Sequence, residues 1–153
     1  MRKLYTFFVL VLLSLSLMMF SSCSEDEPVA SFPAEPIIEL LTTAPTQVRA
    51  FQDSIVFTLR YQDGDGNLGS NDPDVRNLFI TDPRINVVHE FRIQQLAPDN
   101  ANIPIQGNLS ITLPNTLITD ASTQQTVSFS MYVVDNANNE SNTVWTPNIT
   151  VTE

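Results

Sequence analysis

The stretch YQDGDGNLGSNDPD, Tyr61 to Asp74, gathers Asp63, Asp65, Asp72 and Asp74, two asparagines and three glycines into one polar segment. Carboxylate and amide oxygens on an irregular, glycine-permitted backbone are the donors calcium takes, typically six to eight hard oxygens at about 2.3–2.6 Å. Asp63-x-Asp65-x-Asn67 has the spacing that opens an EF-hand loop. It departs from one at two required places, because Leu68 stands where the glycine belongs and Asp74 where the bidentate glutamate belongs. Two readings of the segment remain open. In one, Asp63, Asp65, Asn67, Asp72 and Asp74 hold Ca2+, joined by Asp135 from the later turn Asp135-Asn136-Ala137-Asn138-Asn139. In the other, the Asp-Gly pairs are ordinary turn formers facing water. The length of the segment through Arg76 favours a function. So does its like charge, which needs an ion, or Arg60 and Arg76, to offset it.

Other chemistry is thinner. His89 is the only histidine and shares an alternating face with Val87, Phe91 and Ile93, which reads as a packed side chain and not a catalytic one. One histidine and one cysteine do not make a zinc site or a nucleophile–base pair. The chain therefore reads as non-catalytic. Tyr132 and Trp145 fall on neighbouring strands of a terminal hairpin, with Tyr132 in the outward set. Such a pair either stacks on a sugar ring or a partner's apolar patch, or simply stabilises the sheet.

The elements that position these residues are short strands. Ile55, Phe57, Leu59 and Tyr61 alternate with Val56, Thr58 and Arg60, and Val127, Phe129, Met131 and Val133 alternate with Ser128, Ser130, Tyr132 and Val134. Further runs cover 37–41, 78–81, 87–96, 109–113 and 142–151, separated by Pro, Gly, Asn and Asp. Gly107 suggests a bulge, and Pro147 an edge strand or a bulge. About seven strands in one chain of this size predict an antiparallel β-sandwich.

The N-terminus carries an address. Arg2 and Lys3 precede an apolar run to Phe20, the layout of a cleaved secretory leader. Cys23, the only cysteine, can form no intramolecular disulfide. Phe20-Ser21-Ser22-Cys23 resembles a bacterial lipobox, which implies a diacylglycerol and acyl anchor on Cys23 and hence a membrane attachment. Phe20 departs from the usual leucine. Ser24-Glu25-Asp26-Glu27 resembles the export signal that sends Bacteroidota lipoproteins to the outer face of the outer membrane. Beyond Cys23, five arginines stand against seventeen acids, a net charge of −12, which repels phosphate backbones and excludes nucleic acid as a partner.

The acidic start, the QDGDGNLG loop, NLFITDPR and VVDNANNESNTV together resemble uncharacterised Bacteroidota surface lipoproteins with one immunoglobulin-like domain. The resemblance implies an all-β, antiparallel immunoglobulin-like β-sandwich and no particular reaction. The expected organisation is a lipoprotein signal peptide at 1–22, an acidic flexible tether at 23–35 and the sandwich at 36–153. The expected role is a lipid-anchored binding or structural module facing an extracellular protein or glycan. The alternative is an accessory glycan-binding subunit of a polysaccharide-uptake complex, working through Tyr132 and Trp145.

Overall fold

The computed structural model describes residues 32–98 and 100–153. The leader, Cys23 and the tether up to residue 31 lie outside the described residues. Every regular element among the described residues is a strand: β1 (Ile37–Ala44), β2 (Gln47–Arg49), β3 (Ile55–Asp63), β4 (Leu78–Asp82), β5 (Val87–Phe91), β6 (Ile105–Leu113), β7 (Gln124–Val127), β8 (Ser130–Val133), β9 (Val144–Trp145) and β10 (Ile149–Thr152).

One layer has the order β1-β3-β6, antiparallel throughout. The facing layer is formed by β2-β10-β7 and β5-β4-β8-β9. The chain passes from β7 to β8 through Ser128 and Phe129, and its partner passes from β9 to β10 through Thr146, Pro147 and Asn148. Both ribbons of the terminal hairpin are thus interrupted at the same level. The two long strands expected at 126–135 and 142–151 are each divided in two for this reason. Pro147, which cannot donate to a ladder, falls in the gap. Thr146 Oγ1 accepts from Phe129 N–H at 2.9 Å, and Thr146 N–H donates to Phe129 O at 2.9 Å, so buried Phe129 keeps a partner for both of its backbone groups across the interruption. The first strand also changes layers, since β1 pairs with β3 whereas β2 runs parallel to β10. The result is an immunoglobulin-like β-sandwich.

The core follows from alternation. Ile55, Phe57, Leu59 and Tyr61 of β3 are buried, as are Val127, Phe129, Met131 and Val133 from the opposite layer. Phe57 and Phe129 meet edge to face, with ring centroids 6.0 Å apart, and tie the layers together. Gly107 makes no bulge. It pairs in register with Tyr61, and a Cβ there would come within 2.7 Å of the tyrosine hydroxyl, so the glycine makes room for the ring. The register shift lies instead between Leu40 and Thr42 of β1. The expected strand over 87–96 is regular only to Phe91, with Val87 and Val88 exposed on an edge and His89 half-buried.

Candidate functional site

Asp63 is the last residue of β3, and its place is dictated by the period of that strand. The alternation that turns Ile55, Phe57, Leu59 and Tyr61 inward turns Asp63 inward too, and it is 0% exposed. Its Oδ2 accepts from Leu68 N–H at 2.8 Å, folding the loop back so that Leu68 joins the core. Its Oδ1 is buried with no hydrogen-bond partner, and so is Oδ1 of Asn67. Asp65 accepts from Asn67 N–H at 3.3 Å and from Asn67 Nδ2 at 2.8 Å, which turns the amide oxygen of Asn67 away from it. Gly69, at a φ of 92°, permits the return of the chain, because a Cβ there would lie 2.2 Å from Gln94 O. Gly64 N–H donates to Pro33 O at 2.8 Å, so the segment leading into the domain packs against this same loop.

The second acidic turn does lie at this end of the sandwich. Asn136 Nδ2 donates to Gly69 O at 2.9 Å, and Asn136 N–H to Asn67 O at 3.4 Å. Asp135 is buried and organises its own turn: Oδ1 accepts from the N–H groups of Ala137 (2.8 Å) and Asn139 (2.7 Å), and Oδ2 from Asn139 Nδ2 (2.8 Å). Asn138 adopts a φ of 67°, a left-handed conformation that asparagine tolerates better than most residues. With three donors on its carboxylate, Asp135 acts on the loop mainly through its charge.

Burial pushes the Asp63 carboxyl up to about 6, the Leu68 N–H opposes this, and the charge of Asp65, a hydrogen bond that protonated Asp63 shares with the Asp65 side chain, and the charge of Asp135 add to it. Among the described residues no arginine forms an ion pair with these carboxylates, and Arg92 reaches the loop only at Ser70 O and Asn71 O, at 3.4 and 3.2 Å. Arg60 pairs with Glu39 at 3.0 Å on the exposed face, and Arg76 donates to Pro73 O and Val75 O at 2.8 and 3.0 Å. The structure brings together Asp63, Asp65, Asn67 and the Asp135 turn. Asp72 and Asp74 sit apart on the exposed stretch 71–74, where Asp72 Oδ1 accepts from Asp74 N–H at 2.9 Å in a local turn. Among the described residues, no group of three or more His, Cys, Asp or Glu is arranged to hold a metal. An open polar cleft of about 360 Å³ adjoins the loop, lined in part by Gly66, Asn67, Ser70, Asn100 and Asn136.

Tyr132 and Trp145 share a different surface, the outer face of β5-β4-β8-β9. Trp145 pairs across from Ser130, so it points to the same side as Tyr132 and is 57% exposed. Tyr132 pairs with Phe79 and stacks on it, with centroids 4.9 Å apart and rings within 16° of parallel. Val88 extends the face toward the β5 edge, opposite Thr81. Sequence reasoning missed Phe79, although its place between buried Leu78 and Ile80 marks it as outward. It also missed Asp82 and Arg84, a nearly buried ion pair at 2.6 Å whose guanidinium also reaches Gln125 Oε1 and Thr116 Oγ1.

The class defined by these features is an immunoglobulin-like β-sandwich with a buried-carboxylate loop at one end and an aromatic outer face on one layer. No protein-family model matches the chain, and no curated protein or solved structure matches it.

Proposed function

We propose that the chain is a lipid-anchored, non-catalytic binding module on the outer face of the outer membrane, meeting its extracellular partner through the outer face of β5-β4-β8-β9. The observation that carries the binding role is the row of aromatic side chains there. Phe79 and Tyr132 stack, and Trp145 stands exposed on the neighbouring strand at the open edge. A sheet face needs no exposed tryptophan for its own stability, whereas large aromatic side chains with a polar tip are the groups that anchor interfaces. The lipobox-like start and the acids after Cys23 support the address.

A second reading is favoured by the exposure of Trp145: an indole face on an open edge is suited to stacking on a pyranose ring, as an accessory subunit of a polysaccharide-uptake complex would require. The test is retention of the detergent-solubilised full chain on a panel of immobilised polysaccharides. Retention that is lost in Trp145→Ala and weakened in Tyr132→Ala supports the glycan reading. If no polysaccharide retains the chain, but Trp145→Ala abolishes its cross-linking to a surface protein in intact cells, the partner is a protein. Wild-type behaviour of Trp145→Ala in both assays refutes the assignment of this face.

A further inference from the structure

The loop at the end of β3 holds a buried carboxylate that the protein's own donors satisfy at one oxygen only. A carboxylate that is 0% exposed normally has both oxygens satisfied, because an unpaired buried charge is among the costliest features a fold can carry. When ionised, Asp63 has one oxygen held by Leu68 N–H and the other with no donor, since only a proton on Asp63 lets it hydrogen-bond to Asp65. Asp65 lies within reach of it and brings a second negative charge. Asn67 contributes a second buried oxygen without a partner, while its own N–H and amide nitrogen are occupied by Asp65. The oxygens without partners on Asp63 and Asn67, next to the Asp65 carboxylate, form a set of hard donors with excess negative charge and no arginine among them.

We propose that Asp63 Oδ1 and the Asp65 carboxylate, joined by Asn67 Oδ1 once the amide turns over and gives up its bond to Asp65, bind one hard divalent cation of the calcium class at the base of this loop. Two carboxylates and one amide leave several positions for water, which suits calcium, a cation that accepts mixed and irregular oxygen shells. A polar cleft opens beside Asn67, the one proposed ligand that lines it. Asp135 contributes charge, and its turn clamps the loop through Asn136. Asp72 and Asp74 are not ligands. The ion would fasten together the loop, the terminal hairpin and the segment of chain at Pro33 that leads into the domain. This site is independent of the aromatic face.

The experiment is a calcium titration of the detergent-solubilised full chain, followed by calorimetry and by thermal melting in calcium chloride, magnesium chloride or EDTA. One calcium per chain should bind, raising Tm by several degrees, with magnesium weaker and EDTA reversing the shift. Asp63→Asn and Asp65→Asn should each remove the response, whereas Asp72→Asn, Asp74→Asn and Trp145→Ala should retain it. Asp63→Asn keeps an acceptor for Leu68 N–H, so it tests the ion without dismantling the loop, and a cooperative melt confirms that it is folded. A wild-type melt indifferent to calcium overturns the proposal. So does a response that survives Asp63→Asn or disappears in Asp72→Asn. Loss of polysaccharide retention or of cross-linking in Trp145→Ala, with the calcium response intact, separates a failure here from a failure of the aromatic-face reading.

Discussion

Without a cation, Asp63 should destabilise the domain, and replacing it with asparagine should make the protein more stable. The folded carboxyl titrates at about 6 against an ordinary value of 3.8, because burial and the charges of Asp65 and Asp135 disfavour ionisation. Between those two pH values the folded state therefore binds more protons than the unfolded state, and stability falls as pH rises. The favourable contribution of the protonated form is complete below about pH 3.8 and is lost as pH rises through about 6. At about 1.4 kcal/mol per pH unit, that displacement amounts to roughly 3 kcal/mol at pH 8. Asp63→Asn removes the buried charge, keeps an oxygen for Leu68 N–H, and places an amide donor where Oδ1 had no partner, facing a region of negative charge. In EDTA at pH 8 the variant should exceed the wild type by up to about 3 kcal/mol, or about 10 °C in Tm for a domain of this size. At pH 4 the two should unfold together. Urea unfolding of both full chains in EDTA at each pH from 4 to 8 measures the difference directly. A variant less stable than wild type at pH 8, or a difference that does not change with pH, would refute the reasoning.

Phe129→Ala should cost about 3–5 kcal/mol by urea unfolding, since it empties a fully buried site and breaks the edge-to-face contact with Phe57. Ser128→Ala should cost about 1 kcal/mol, because its hydroxyl donates to Thr146 O at 2.6 Å across the break in the hairpin. Arg84→Ala should cost about 3–5 kcal/mol, as it leaves Asp82 buried without its partner, and the loss should shrink when Asp82→Asn is combined with it. Cys23→Ala should release the protein from membranes or leave its precursor uncleaved. Alanine at Glu25, Asp26 and Glu27 should keep the anchor but protect the protein from protease added to whole cells, and unchanged protease sensitivity would count against the export signal.

The strands that carry strict alternation were legible because burial on one face imposes a period of two, and that period needs only local residue identity. It placed Phe57, Leu59, Phe129 and Met131 inside and Tyr132 outside without reference to any partner strand. The same rule, extended two residues past Tyr61, already implies that Asp63 points inward. The left-handed Asn138 was likewise legible, because the tolerance for a positive φ belongs to the residue itself. The division of the hairpin into β7, β8, β9 and β10 was not. Nothing in the run from Val127 to Val133 marks the interruption, which depends on the bonds that Thr146 makes to Phe129 across the hairpin. Nor could spacing separate Asp63 and Asp65 from Asp72 and Asp74. All four stand in one polar stretch, and only Leu68, folding back into the core on the Asp63 hydrogen bond, buries Asp63 with Asp65 half-buried beside it and leaves Asp72 and Asp74 in water. Charge compensation was equally out of reach, because where a long arginine side chain ends is set by neighbours distant in sequence, which send Arg60 to Glu39 and not into the loop. Local periodicity and residue chemistry were therefore the sequence's own contribution. Which oxygens lack partners was decided by tertiary packing, since satisfying a buried polar atom depends on every segment that closes around it.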